Sequence, residues 1–470
     1  MTHFEQFGVG TEQIRATLEA ALSRGADDAD LYFEHAGSTS IALSDGKVNR
    51  ASTHVDLGVG VRVVVGDQVG YAYTEDLSRD AMVRAARLAA EIAAGGRTPP
   101  PVEVRAHVLG ADRYPIVQPW EQVELTRRVE MVRDWEKRTF AADARIRKVE
   151  TMLADSFRHV MVVRADGKLV EDYQPMTRAY ISCTAEMDGR KETAFSNIAQ
   201  RMGLEFYTPE RVERFIRKAV EDTTILFEAG KPPAGEMTVV LAAGSSGILL
   251  HEAIGHGLEA DFNRKGISIY ADRVGQRIAP AGVTVVDDGT LMHARGTINA
   301  DDEGNDAEKT VLIEDGVLKG YLHDQISARH FKVAPTGSGR RESFRHPVLP
   351  RMRSTYMEKG GYDPGEIIAS VEKGIYCQSF ANGQVQIGAG DFAFYVRHGY
   401  LIENGKLTKP IKDVNLVGNG PKVLETIEMV GNDLEIDEGG WTCGKDGQSV
   451  PVSQGMPTVK VSRLSVGGAA

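Results

Sequence analysis

The sequence predicts an α+β protein: an N-terminal α/β domain with antiparallel hairpins, followed by a β-rich C-terminal domain. Three observations carry this. Before residue 228, amphipathic helical stripes alternate with β-rich runs; residues 229–235, AGKPPAG, hold two prolines that can continue neither a helix nor a central strand; and beyond them turn dipeptides punctuate mostly strand-like sequence. The expected division is therefore 1–228, a linker at 229–235, and 236–470. At 470 residues, with 42% hydrophobic and 26% charged content, the chain has ample material for more than one core, so disorder is excluded as a global description.

Ile14, Leu18, Ala21 and Leu22 form one face of a first helix, stopped by Gly25. The runs ADLYFEHA, SIALSDGKV and VGVRVVVGDQVGYAY follow, separated by Asp45-Gly46 and Gly66-Asp67, and predict an antiparallel meander. An Ala-rich helix from about Ser78 should end at Gly95-Gly96, before Pro99-Pro100-Pro101. The same order then recurs: a helix from Trp120 to about Ala142, strands at RKVETMLA and HVMVVRADGKLV, more hairpin to about Met202, and a helix opened by Thr208 and Pro209. Its stripe is Val212, Phe215, Ile216, Ala219 and Val220. Asp45-Gly46-Lys47 and Asp166-Gly167-Lys168 occupy corresponding turns, so a divergent internal repeat and a chance recurrence of order both remain open. In the second half, turns are expected at Asp315-Gly316, Asn382-Gly383 and Asn404-Gly405, and short helices near Pro364 to Glu372 and Pro421 to Met429.

Charge and cysteine usage narrow the function classes. Lys plus Arg number 55 against 66 Asp plus Glu, a net charge of −11 that repels a phosphate backbone, so no nucleic-acid partner is expected. The N-terminus lacks a basic start with an apolar core, and no stretch approaches the roughly 20 apolar residues of a membrane span. A soluble, untargeted chain without a membrane partner is the expectation. Cys183, Cys377 and Cys443 are too few for a disulfide framework and suit a reducing cytosol.

The chemistry concentrates in HEAIGH. His251, Glu252 and His256 differ by one inserted residue from the zinc-protease pattern HExxH. On a regular helix, residues four apart lie about 40° apart around the axis, whereas residues five apart lie about 140° apart. A π-bulge, or a helix end, at Gly255 would bring the two imidazoles back to one face. Two imidazoles leave a tetrahedral zinc short of a third protein ligand. Candidates are Glu259 and Asp261 nearby, the three cysteines, and the distant His293, His323, His330 and His346. Cys443 has the most suitable surroundings, a Gly-rich loop with Lys445 beside it; Cys183 and Cys377 sit in strand-like runs and read as packed thiols. Glu252 occupies the position of a base that takes a proton from a water at the metal. A packed helix with unrelated histidines is the competing reading, and the preceding GSSG offers only a weak anion cradle because no Lys-Ser or Lys-Thr follows. Ser245 or Ser246 as an elbow nucleophile is weaker still, since GxSxG is absent.

HEAIGHGLEADFNRKG, TGSGRRESFRHPVLPRMRSTYM and WTCGKDGQSVPVSQGMPTVKV, in that order, resemble the TldD branch of the TldD/PmbA family, and the resemblance runs through nearly the whole chain. It implies a cytoplasmic zinc metalloprotease with His251, His256 and Cys443 as ligands and Glu252 as general acid/base. It also implies a dimer, either with a TldE/PmbA-type paralogue that lacks the zinc motif or with a second copy, acting on unfolded or extended peptides and on peptide precursors. Arg340, Arg341, Arg345, Arg351 and Arg353 are candidates for holding a peptide carboxylate, against a solvated basic loop or dimer contact. The acidic run Asp301, Asp302, Glu303, Asp306 and Glu308 misses the EF-hand spacing and reads as a solvated loop. Two other classes compete: a non-catalytic peptide-binding or assembly subunit with a structural metal, for which Glu252 has no use, and a metal-dependent amidohydrolase with a compact pocket for small molecules.

Overall fold

The computed structural model describes residues 2–93, 95 and 103–468. Helix, three antiparallel strands and helix occur twice in its first half. Thr11–Ala21, Asp28–Ser44, Lys47–Val65, Gln68–Thr74 and Arg79–Ile92 make the first set; Leu125–Ala142, Ile146–Arg164, Lys168–Met187, Arg190–Gln200 and Pro209–Thr224 make the second. All six strands join one sheet, with Asp28–Ser44 paired antiparallel to Ile146–Arg164 at its centre, so that Gly37 faces Phe157 and His35 faces His159. The two Asp-Gly turns close equivalent hairpins. Each helix pair covers its own end of the sheet, giving two separate apolar clusters, one around Phe33, Val61 and Met82 and one around Trp135, Ile181 and Phe215.

Several local expectations hold. Thr208 caps its helix by accepting from the Arg211 N–H, with Pro209 at the first position. Asp315-Gly316 and Asn404-Gly405 are turns with positive φ at both residues. The RKVETMLA and HVMVVR runs prove to be one continuous strand, and the helix after Trp120 is split into a single turn, Trp120–Gln122, and Leu125–Ala142. The Ala-rich helix ends at Ile92; of its expected stop signals all but Gly95 lie outside the described residues.

Residues 228–234 contain no helix or strand beyond a bridge between Gly230 and Ile411. After them, Gly235–Leu241, Lys373–Gln386, Asp391–Glu403, Lys406–Asn419, Ile427–Val430 and Val459–Gly468 form a six-stranded sheet that closes on itself, because Lys406–Asn419 also pairs with Val459–Gly468. A barrel removes exposed edges and encloses the largest apolar cluster, which includes Leu241, Ile254, Phe380, Phe394 and Val414. Ile427–Val430, expected to end a helix, is one of its strands; the helix there stops at Glu425. A second six-stranded sheet, built from short strands such as Val285–Asp288, Ser354–Met357 and Ser453–Met456, packs beside it. Among the described residues, no helix is long and apolar enough to cross a membrane.

Asn382-Gly383 is not a turn. It lies inside the strand Lys373–Gln386, whose register shifts between Phe380 and Asn382. Gly383 serves a close approach instead: a Cβ there would sit 2.6 Å from the Phe394 ring and 3.0 Å from Glu252 Cγ.

Most of the arginine-rich segment is interior, bonded within the chain and not free to hold a peptide carboxylate, and the first half of the acidic run is buried, contrary to the solvated loop expected of it. Arg341, Arg351 and Arg353 are fully buried. Arg353 pairs with Asp287 at 2.7 Å, Arg341 reaches Asp30 at 3.3 Å, Arg351 donates to the Cys443 carbonyl at 2.6 Å, and Arg340 donates to the Met352 and Pro451 carbonyls. Arg345 is held by Asp56 and Glu75, both at 2.8 Å. These five are committed within the chain. Asp301, Asp302 and Glu303 are buried because they neutralise or cap such groups, with Glu303 pairing Arg62 at 2.5 Å, while Asp306 and Glu308 do face solvent. The Arg62, Asp30, Glu303 and Arg341 cluster ties the N-terminal sheet to the C-terminal half.

Candidate metal centre

The strand Gly235–Leu241 leads through Gly244, at φ +83°, into a turn and the buried helical residues Ile248, Leu249 and Leu250. Ser246 donates to the Ala242 carbonyl and is fully buried, which removes it as an elbow nucleophile. From His251 the helix widens: His251–Gly255 is a π turn, and the His256 N–H donates to the His251 carbonyl five residues earlier. The extra residue in the motif is absorbed by this widening, and the imidazoles converge, with ring centroids 4.9 Å apart and planes at 85°. Gly255 is required by packing, because a Cβ on it would lie 2.1 Å from Met352 Sδ. The Ala253 carbonyl inside the widened turn accepts from the Tyr270 hydroxyl at 3.0 Å.

Cys443 arrives from a hairpin, Thr442–Lys445 with Gln448–Pro451, and its Sγ lies 3.5 Å from His256 Nε2. One donor atom from each of His251, His256 and Cys443 falls within 4.8 Å of the others, and all three residues are buried. Burial alone would push the Cys443 thiol up, but the two imidazoles reverse this and hold it well below its ordinary value. His251 Nδ1 is buried without a hydrogen-bond partner. Two imidazoles, a thiol biased toward thiolate and an unpartnered ring nitrogen are a donor set that fits a borderline-soft divalent cation.

The other candidates lie elsewhere. Cys183 is packed against the Ala219 carbonyl and Thr223, and burial pushes its thiol up to about 11; Cys377 is fully buried and shifted the same way. His293 faces the Arg201 carbonyl, His346 bonds Ser343, His323 packs on Tyr321 and Phe331, and His330 ends a short helix. Asp261 pairs with Lys445 at 2.7 Å. Glu259, weighed as a third ligand, instead accepts from His256 Nδ1 at 3.0 Å and from Lys445 Nζ at 3.2 Å. Burial opposes its charge, yet Lys445 and His256 hold it down to about 2. Its carboxylate sets the His256 tautomer so that Nε2 faces Cys443. This positioning role was missed in the sequence, where the three-residue spacing to His256 was the only available signal.

Glu252 borders the cavity in front of the donor set, about 380 Å³ in volume, together with Phe262, Gln384 and Thr442. Unlike His251 and Ala253 on either side of it, Glu252 is only half-buried.

The arrangement can be set beside known proteins. Residues 29–93 match domain 1 of the PmbA/TldA metallopeptidases, 118–227 their central domain, and 234–468 their C-terminal domain. The chain belongs to the PmbA/TldD family. A metalloprotease TldD homolog of Haemophilus influenzae is 38% identical over 468 residues, covering 98% of this chain and 97% of that one. A zinc metalloprotease TldD homolog of Saccharolobus solfataricus is 36% identical over 238 residues, covering 50% of this chain and 53% of that one. The crystal structure of TldE from Thermococcus kodakarensis superposes with a TM-score of 0.75 at 18% identity, covering 97% and 99% of the two chains, a likeness of fold. The chain is accordingly a metallopeptidase.

Proposed function

We propose that the chain is a zinc-dependent peptidase of the cytoplasm that hydrolyses unfolded or extended peptides, including peptide precursors, with His251, His256 and Cys443 as zinc ligands. The observation that carries this is the convergence of those three donors beside Glu252 at one cavity. The zinc named in the Saccharolobus relative supports the choice of metal, as does the thiolate. Zinc held there supplies Lewis acidity at the substrate carbonyl and makes water acidic enough to attack near neutral pH.

Glu252 takes the proton of the attacking water on its carboxylate and returns it to the leaving nitrogen. Gly383 leaves that carboxylate room on the cavity wall. Glu259 holds the proton on His256 Nδ1, keeping Nε2 free to bind. An extended peptide suits a cavity bordered by the backbone of strand residues 383–385, which offers pairing without strong side-chain selection. The partner is a TldE-type paralogue or a second copy of the chain.

Metal analysis and peptide cleavage test this in wild type, Glu252→Ala and Cys443→Ala. Glu252→Ala should keep zinc and lose cleavage, whereas Cys443→Ala should lose most of both. Full cleavage by Glu252→Ala would refute the assigned base, and a fully loaded, active Cys443→Ala protein would refute the ligand set.

A further inference from the structure

A second cavity of about 360 Å³ is lined by Arg158, Arg178, Arg201, Arg295, Asp155 and Gln174 among others. Its charges do not balance. Arg158 is committed to Glu34 at 2.7 Å and to the Tyr32 hydroxyl at 2.6 Å, and Asp155 to Arg128 at 2.7 Å. Among the described residues, Arg178, Arg201 and Arg295 have no carboxylate partner within salt-bridge distance. Arg201 is 3% exposed, its Nε is buried without any partner, and its guanidinium rests only on the Tyr114 ring, 5.3 Å from the centroid. Arg178 Nε is also buried and unpartnered. Arg295 donates to the neutral Trp441 carbonyl at 2.9 Å and to the Thr442 hydroxyl at 3.4 Å. Asp172, a carboxylate whose charge Arg201 feels, is occupied by Tyr114, Asn299 and Gln174.

Three guanidiniums gathered in a partly desolvated recess repel one another and have lost much of their hydration. Burial, then Arg178 and Arg201, push Arg295 down to about 9, and burial lowers Arg178 and Arg201 as well. Such an arrangement is stabilised by an anion that supplies the missing acceptors, and planar guanidiniums match a carboxylate. The cavity is linked to the metal site through the hairpin that carries Cys443. Thr442 borders the metal cavity, precedes Cys443 in the chain, and bonds Arg295. Pro451, opposite Thr442 in the hairpin, lines the arginine cavity.

We propose that this arginine cavity is a carboxylate-binding subsite of the peptidase, in which Arg178, Arg201 and Arg295 hold an acidic side chain or the terminal carboxylate of a peptide lying across the metal site. The proposal rests on the peptidase reading and adds a substrate preference to it. The role that sequence reasoning gave to Arg340, Arg341, Arg345, Arg351 and Arg353, which are committed internally, passes to arginines from three distant segments.

The test uses three fluorescent peptides of one sequence, blocked at the N-terminus: a C-amidated form containing Glu, the same with Gln, and the Gln form with a free terminal carboxylate. Binding is read by polarisation on chelator-treated full-length protein, and cleavage on zinc-loaded protein. Wild type should bind the Glu peptide, the free-carboxylate peptide or both about tenfold tighter than the neutral one, since buried donors left unpaired penalise the neutral analogue. Which of the two gains identifies the source of the carboxylate. Arg178→Gln should abolish most of the preference and Arg178→Lys restore part of it. Arg178 is half-buried with no side-chain partner, so its loss orphans nothing, and the wild-type comparison needs no variant. Equal binding of all three peptides by wild type, or an undiminished preference in folded Arg178→Gln, overturns the subsite. Cleavage of the neutral peptide reads the peptidase activity separately, so cleavage without preference overturns the subsite alone.

Discussion

Replacing Glu259 by Gln separates the positioning of His256 from the zinc-ligand role proposed for it. Glu259 is fully buried, accepts from His256 Nδ1 at 3.0 Å and faces Lys445 Nζ at 3.2 Å. Glutamine keeps the shape and can still offer one oxygen, but it removes the charge that holds the His256 proton on Nδ1 and strengthens Nε2 as a donor. Losing such an outer partner weakens metal affinity by about 10- to 100-fold, equivalent to ~1.4–2.7 kcal/mol. Gln is preferred to Ala because an empty site would leave Lys445 with only Asp261, and breaking a buried ion pair costs about 3–5 kcal/mol. Zinc affinity is measured by competition with a chromophoric chelator, with thermal unfolding of the apo form as the control. Asp261→Asn serves as the reference, since Asp261 bonds the same lysine without touching His256. Zinc affinity unchanged in Glu259→Gln, or reduced equally in Asp261→Asn, would refute the argument.

Two further outcomes follow from the packing. Gly255→Ala should destabilise by about 1–3 kcal/mol in urea titration, as expected of overpacking, because its methyl would meet Met352 Sδ; in a double-mutant cycle its cost should be smaller in a Met352→Ala background, and an unchanged cost would place the strain elsewhere. His323, buried against Phe331 and Tyr321, has its imidazole lowered to about 4 by burial, from an ordinary value of 6.5. Because the folded value is the lower one, its stabilisation is present above pH 6.5 and is lost as pH falls toward 4, by on the order of 3 kcal/mol at most. His323→Leu should flatten the fall in unfolding temperature between pH 7 and pH 4.5, and an unaltered slope would remove His323 as the cause.

The helical stripes, the Asp-Gly turns and the widened turn at HEAIGH were legible in the sequence because each depends on residues within a few positions of one another. The five-residue spacing of His251 and His256 is itself the signature of the π turn that reunites them. What was not legible depends on distant partners. Arg341 meets Asp30 from 311 residues away, and Arg353 meets Asp287 from 66. A local window shows only a run of arginines or of acids, for which solvation is the natural reading. Asn382-Gly383 failed for a related reason: glycine serves tight turns and close approaches alike, and the Phe394 ring and Glu252 that demand the latter come from other elements. Glu259 carried a local clue, three residues after His256, but whether it would bind metal or orient a ligand was decided by Lys445.

The central claim is that two imidazole nitrogens and one thiolate sulfur from distant segments bind one zinc ion. Zinc-edge X-ray absorption on full-length protein, loaded with one equivalent, reads that shell directly. The account predicts one sulfur near ~2.3 Å and two imidazole nitrogens near ~2.0–2.1 Å, with the sulfur lost in Cys443→Ala. A first shell made only of nitrogen and oxygen in the wild type would contradict it.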